Sequence, residues 1–234
     1  MRGEVRRRIE MGSRVREFSR SHPSDDPSHT TLLVRLEDRL NRAEVLAVQE
    51  RAGRIAESAA AGRRDELRRS MQKRLLRHLV RAGELAAREN PELAGKFRLR
   101  LPNATHKAFL ISARAMLADG VANKDLLVSQ GLSEKMLGEL GQAVGEFETT
   151  TDAGGIGRRN HIGARLDLEA VSNELVALVE LLNTFNSHRF RSDPELAGMW
   201  ESARTVFGPS RSKPAAPPTE GGVTPPAGGI ASAA

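Results

Sequence analysis

The amino-acid sequence predicts an all-α protein: an antiparallel bundle of five or six helices followed by a disordered C-terminal tail. Aromatic residues make up only 3% of the 234 residues, with one Trp and no Tyr, whereas β-sheet proteins use more aromatic and β-branched residues. Apolar residues also recur at alternating gaps of three and four over 168–185, which places them on one helix face. This stripe, here called the seam, comprises Leu168, Val171, Leu175, Leu178, Leu182 and Phe185.

The seam is typical of a coiled-coil contact, but it is short. It extends over about two and a half heptads, whereas a free coiled-coil dimer requires sustained heptads. Four other amphipathic segments are available to pack against it. We therefore expect the seam helix, at about 160–190, to be the central strut of an intramolecular bundle.

Residues 1–27 are expected to form a basic leader that is partly disordered. Apolar residues in it have the spacing of a short amphipathic helix, and arginines surround them. The segment 21–27, which contains two prolines with Ser and Asp between them, ends this helix. The bundle domain is then expected to occupy residues 28–208.

Residues 28–89 are expected to form a hairpin of two helices. The first begins at 28–31 and runs to about Ala60, Ala61-Gly62 forms the turn, and the second spans 64–89 before Asn90-Pro91. The apolar stripe of the first helix changes phase partway along, and its second phase comprises Val48, Ala52, Ile55 and Ala59. The expected inward residues of the second helix are Leu67, Met71, Leu75, Leu79, Ala82 and Ala86.

Three more segments complete the predicted bundle before the seam helix. Asn103 is the expected N-cap of a third helix that runs to Asp119, and a short helix follows at 121–130. Ser133 is the expected N-cap of a fourth helix. The glycine segment 154–157 is expected to link that helix to the seam helix.

The last helix has the clearest boundary signals. Asp193 is placed to cap it, Pro194 occupies its first turn, and Gly208-Pro209 is expected to end it. Trp200 and Phe207 are expected to face inward. Residues 209–234 are rich in Pro, Gly, Ala, Ser and Thr, which is typical of a disordered tail.

The strongest functional candidate is a row of four basic residues spaced by four, Arg69, Lys73, Arg77 and Arg81, here called the basic row. Like charges at this spacing repel by roughly 0.2–0.5 kcal/mol per pair, so the row is suited to bind phosphates, an anionic membrane surface or an acidic partner. The alternative interpretation is a solvated face, or one neutralised by a neighbouring helix. The acidic residues available for this are Glu169, Glu174 and Glu180.

A weaker candidate is the glycine segment with the two arginines that follow it, Arg158 and Arg159. Exposed backbone amides at a helix start, together with these guanidinium groups, can hold an anion. The segment matches neither GxGxxG nor GxxxxGK[ST], and no strand precedes it. A flexible linker is therefore the preferred interpretation.

The sequence offers little for catalysis. It has no cysteine, and its six histidines form no HExxH motif and no Glu-x-x-His pair, so we expect neither a metal nor a cofactor. Its carboxylate pairs are expected on solvent faces, where nothing shifts their pKa values for acid–base work. We expect no enzymatic activity. The absence of a membrane span or signal peptide leads us to expect a cytoplasmic protein.

The segments from Phe18 to Pro27 and from Arg189 to Arg204 resemble parts of uncharacterised bacterial helical proteins. The resemblance covers residues 13–208 and implies only the boundaries of the bundle, since that group has no named activity. The function we expect is that of a non-enzymatic scaffold or protein–protein interaction protein that binds a partner or itself. The alternative is a nucleic-acid-binding protein that uses the basic leader and the basic row.

Overall fold

The computed structural model describes residues 2–98 and 104–207, and these residues form an all-α bundle. A π-helix, Met71–Leu76, joins α2 to α3 without interruption, and a 3-10 turn, Pro91–Leu93, follows α3. With the α2–α3 rod counted once, the described residues form six helices, which confirms the predicted class. The expected tail, 209–234, lies outside the described residues. The α-helices are α1 (Gly3–Ser21), α2 (Pro27–Ser70), α3 (Arg77–Glu89), α4 (His106–Ala122), α5 (Lys124–Ser129), α6 (Glu134–Arg189) and α7 (Pro194–Arg204).

The expected turn at Ala61-Gly62 is wrong, because both residues lie inside α2. Gly62 is exposed, and a Cβ placed on it would meet no atom within 4 Å. A glycine in a helix interior costs only about 1 kcal/mol relative to alanine. Helix-forming neighbours and packing against α6 on both sides of Gly62 outweigh that cost, so the rod continues.

The expected linker at 154–157 is also wrong, since these residues lie inside the 56-residue helix α6. At 1.5 Å per residue, this helix is about 84 Å long. It runs antiparallel to the α2–α3 rod. Leu40 and Leu175 both lie beside Gly12 of α1, whereas Arg63, later in α2, pairs with Glu146, earlier in α6. The long antiparallel pair of this fold is therefore α2 with α6, and α3 packs instead on α5.

The buried apolar residues form two separate cores along this long pair. The first core contains residues of α1, the start of α2, the end of α6, and α7. The second contains the end of α2, the π-helix, α3, α4, α5 and the start of α6. The seam lies in the first core, where five of its six residues are buried and Phe185 is half-buried.

The amphipathic helix expected in the basic leader is present. Residues 3–21 form α1, which packs on α2, α6 and α7. Its buried apolar residues include Val15 and Phe18, which belong to the first core. The leader thus contributes a packed helix to the bundle.

Helix boundaries agree with the sequence where capping side chains are clear. Asp193 accepts a hydrogen bond from the Leu196 amide at 3.0 Å, with Pro194 in the first turn, as predicted. The N-cap of α4 is Thr105, whose hydroxyl accepts a bond from the amide of residue 108 at 3.2 Å, while Asn103 lies outside the described residues. Ser133 occupies the N-cap position of α6 but makes no side-chain capping bond.

The end of α7 differs from its expected position. The helix stops at Arg204, and Gly208-Pro209 lies outside the described residues. Trp200 is buried, as expected, but Phe207 is exposed beyond the helix, with the Arg14 guanidinium 4.6 Å from its ring centre. The expectation that Phe207 faces inward is therefore wrong.

Candidate interaction surfaces

Between the two cores, the long pair has a stretch that neither core reaches. This stretch, here called the neck, consists of residues 48–62 of α2 and 150–163 of α6. Ala60 is the one buried apolar side chain among the described residues of this stretch. With so little apolar burial available, close backbone contact has to hold the two helices together here.

Glycines provide that close contact. A Cβ on Gly157 would lie 2.8 Å from the Glu57 amide nitrogen and 2.9 Å from the Gly53 carbonyl oxygen. A Cβ on Gly53 would lie 2.8 Å from the His161 amide nitrogen. No side chain fits at either position, so these glycines allow the helices to approach rather than interrupting them.

One side of the neck is charged. The Glu57 carboxylate lies 3.1 Å from Nδ1 of His161, and Glu50 is buried nearby on the same helix. The other side is a shallow groove with no charged residue in its lining. The groove is lined by Gln49, Ala52, Gly53, Ala56, Ala153, Ile156, Gly157, Asn160 and Ala164.

Beside this groove, an apolar stripe of α2 is exposed to solvent. Val45, Val48 and Ile55 are 49%, 65% and 58% exposed, and Ala52 and Ala59 are exposed with them. These five residues, here called the α2 stripe, are separated by gaps of 3, 4, 3 and 4, the spacing of a helix face that packs on another helix. The second phase of the apolar stripe predicted for the first helix, from Val48 to Ala59, is therefore exposed in the single chain and not covered by the bundle.

The basic row spans the junction between α2 and α3. Arg69 lies in the last turn of α2, Lys73 in the π-helix, and Arg77 and Arg81 in α3; all four are exposed. The last three line one shallow groove, together with His78, Val80 and Glu84.

The π-helix changes which leucine is buried below the basic row. Leu75 was expected inward but is half-buried, whereas Leu76 is fully buried in the second core. A π-helix has i→i+5 hydrogen bonds, so the core position that follows Met71 is five residues on rather than four. Because positions 75 and 76 are both leucine, the apolar stripe in the sequence shows no irregularity that would mark this segment.

The basic row is not neutralised by the described chain. Lys73, Arg77 and Arg81 make no ion pair with any residue that the structure describes, and Nε of Arg69 donates to the Asp65 carbonyl of its own helix at 3.1 Å. Two of the carboxylates that the sequence offered have other partners, at the surface of the bundle. The pairs are Arg2 with Glu169 and Arg39 with Glu174.

Arg158 and Arg159 do not join the basic row. Both are exposed in the interior of α6, within the neck, and no loop precedes them, so the candidate anion-binding loop is absent there. Their neighbour Gly157 contacts Gly53 and Glu57, at least twelve residues before Arg69. That separation is a rise of about 18 Å along the pair.

Another polar feature lies at the far end of the first core. His29 is 2% exposed, and its Nε2 has no hydrogen-bond partner among the described residues; the same holds for the side chains of Ser19 and Asn186. Burial lowers the pKa of His29 below its ordinary value of 6.5, and the positive charge of Arg189 lowers it further. These groups are closed off from solvent, so we assign them to the packing of the bundle.

The described residues contain no helix that is long and apolar enough to span a membrane, and no cluster of three or more His, Asp or Glu side chains placed to hold a metal ion. The candidate surfaces are therefore the neck, with its apolar stripe, and the basic row. Comparison with protein-family models, curated proteins and solved structures finds no match to this chain.

Proposed function

We propose that this chain is a non-enzymatic interaction protein that self-associates, two copies pairing through their α2 stripes. One observation carries the proposal: the stripe has the spacing of a buried helix face but is exposed in the single chain. Exposed apolar residues scattered singly are ordinary on protein surfaces, but an aligned set over four turns marks a contact site.

The stripe favours a second copy of itself because it is nearly symmetric about Ala52. Val48 lies four residues before this alanine and Ile55 three residues after it. A twofold axis through Ala52 therefore places Val48 of each copy against Ile55 of the other, as an isologous contact requires. The small side chain at the centre lets the two helices approach closely.

The neighbouring groove supports the same pairing. Ile156, which is half exposed on α6, protrudes beside the alanines of α2 that line this groove. Ile156 and the groove lie on one face of the chain. The twofold axis that pairs the stripes therefore brings Ile156 of each copy towards the groove of the other. The groove lining also has no charge, so nothing there would be buried without a counter-ion.

The size of the face predicts a weak dimer. Residues 45–59 span about 21 Å of helix, and two adjacent helices are about 20 Å wide, so each copy buries on the order of 400 Å². The total, about 800 Å², is below the range of about 1,200–2,000 Å² for stable specific interfaces. We therefore expect reversible association with a Kd in the micromolar range or weaker.

The test is sedimentation equilibrium of the full chain and of Ile55→Gln over a wide range of protein concentration. Fully burying an isoleucine contributes about 1.5–3 kcal/mol. Ile55 is 58% exposed and occurs twice in the dimer, so its replacement is expected to weaken the dimer by roughly 20- to 400-fold.

Ile111→Gln is the matched control, because Ile111 is 57% exposed on α4, away from the neck. The proposal predicts that this variant dimerises as the parent chain does. Equal weakening by both substitutions, or a chain that stays monomeric throughout, would contradict it. Binding of a different protein to the neck of a chain that stays monomeric would also contradict self-association.

A further inference from the structure

We propose that the basic row binds the phosphate backbone of double-stranded nucleic acid without selecting its sequence. The first support is the alignment of the row. In an α-helix, residues four apart drift by about 40° around the axis, so Arg69 and Arg81 would differ by about 120°. A π-turn has about 4.4 residues, so successive positions rotate less and the drift is largely cancelled across Met71–Leu76.

The grouping of the side chains agrees with that alignment. Lys73, Arg77 and Arg81 line one groove on the solvent side of the rod, and Glu84 is the one carboxylate among the residues that line it. The row from Arg69 to Arg81 extends over about 18 Å, a length close to the axial rise of five base pairs at 3.4 Å each. The row is therefore long enough to contact several phosphates.

The row is also free to bind. Its three groove residues have no ion-pair partner in the described chain, unlike Arg6, Arg8 and Arg20 of α1. Repulsion between neighbours in the row is relieved when phosphates replace the counterions around it. The row thus presents unpaired cations along one groove to an anionic partner.

The surroundings of the row distinguish between anionic partners. Membrane-surface helices insert large apolar side chains beside their basic residues, but no large apolar residue is exposed between Ile55 and Ile111 in the described chain. Proteins that bind single strands stack bases on aromatic rings, and the aromatic residues nearest the row, Phe97 and Phe109, are buried. Backbone contacts to a duplex need neither feature.

The test is fluorescence anisotropy with a labelled DNA duplex of about 20 base pairs, in two unrelated sequences, from about 0.05 to 0.3 M salt. Four phosphate contacts predict that log K falls with log salt with a slope of about −3.6. Arg77→Gln/Arg81→Gln removes two contacts and is expected to reduce the size of that slope to about −1.8. If those two contacts contribute no affinity at 1 M salt, the variant binds roughly 60-fold more weakly than the parent chain at 0.1 M salt.

Arg158→Gln/Arg159→Gln is the matched control, because it removes the same charge from exposed positions outside the row. We expect this control to bind the duplex as the parent chain does. We also expect Ile55→Gln to keep the same slope of log K against log salt per chain, so this test does not depend on self-association. Equal losses in the two double variants, tighter binding to a single strand of the same length or to vesicles with anionic lipid, or no binding would each overturn the inference.

Discussion

The glycine contact in the neck makes a sharp prediction about stability. In Gly157→Ala, the new methyl group would lie 2.8 and 2.9 Å from backbone atoms of Glu57 and Gly53, which are not the ends of flexible side chains. The two helices must separate locally to accept it. Overpacking of this kind costs about 1–3 kcal/mol, and the higher helix propensity of alanine offsets up to about 1 kcal/mol.

Gly163 provides the control in the same helix. A Cβ at this exposed position would meet no atom within 4 Å, so Gly163→Ala gains helix propensity without a clash. We expect it to raise the free energy of unfolding by about 0.5–1 kcal/mol and Gly157→Ala to lower it by about 1–2 kcal/mol. The free energies of unfolding of the two variants should therefore differ by about 2 kcal/mol, with Gly163→Ala above the parent chain and Gly157→Ala below it.

The assay is urea denaturation followed by circular dichroism, at a protein concentration low enough that the chain is monomeric. The slope m should match among the variants, so that the midpoints report stability. If Gly157→Ala stabilises the chain as much as Gly163→Ala does, the backbones do not meet at Gly157, and the account of the neck fails.

Two further predictions concern the first core. Because burial lowers the pKa of His29 below 6.5, the unfolded chain takes up this proton first, so stability should be constant above about pH 7 and fall as the pH drops through and below 6.5. Urea midpoints between pH 5 and 8 measure this, and His29→Gln should flatten the dependence. Trp200→Phe removes the 2.8 Å hydrogen bond that the indole donates to Oδ1 of Asn183, and it should lower the free energy of unfolding by about 1 kcal/mol. In a double-mutant cycle, this loss should be smaller when Asn183 is already replaced by alanine.

The helical class and several boundaries were predictable because their causes are local. Composition and the three–four spacing of the seam indicate helices, and an Asp-Pro pair fixes the start of α7. These signals depend on residues within one or two turns of each other. The burial of the seam followed because enough other apolar faces were present to cover it.

The continuous helices were not predictable from local signals. Gly62 and the glycines at 154–157 suggested turns, yet Gly157 serves a contact with Gly53, about a hundred residues earlier in the chain. Helix propensity depends only on neighbouring residues, so it does not reflect a contact with a residue so distant in the sequence. The π-helix was missed for a related reason: the expected four-residue gap after Met71 hid the five-residue gap to the buried Leu76.

The two candidate surfaces differ in how much of each the sequence revealed. The basic row was visible from its spacing, but its lack of ion-pair partners depends on where α6 places its carboxylates. Four of the five residues of the α2 stripe, all but Val45, were predicted to lie on the apolar face of the first helix, since periodicity indicates burial without naming the partner. The structure shows no partner for it within the described chain.

Disulfide cross-linking tests the proposed pairing most directly, because the natural chain has no cysteine. A twofold axis through Ala52 brings the two copies of this residue together at the centre of the contact, where a disulfide requires Cα atoms about 4.4–6.8 Å apart. Under mild oxidation at micromolar concentration, Ala52→Cys is expected to form a covalent dimer rapidly, and Ile111→Cys only slowly. Equal rates for the two variants would contradict self-association through the α2 stripe.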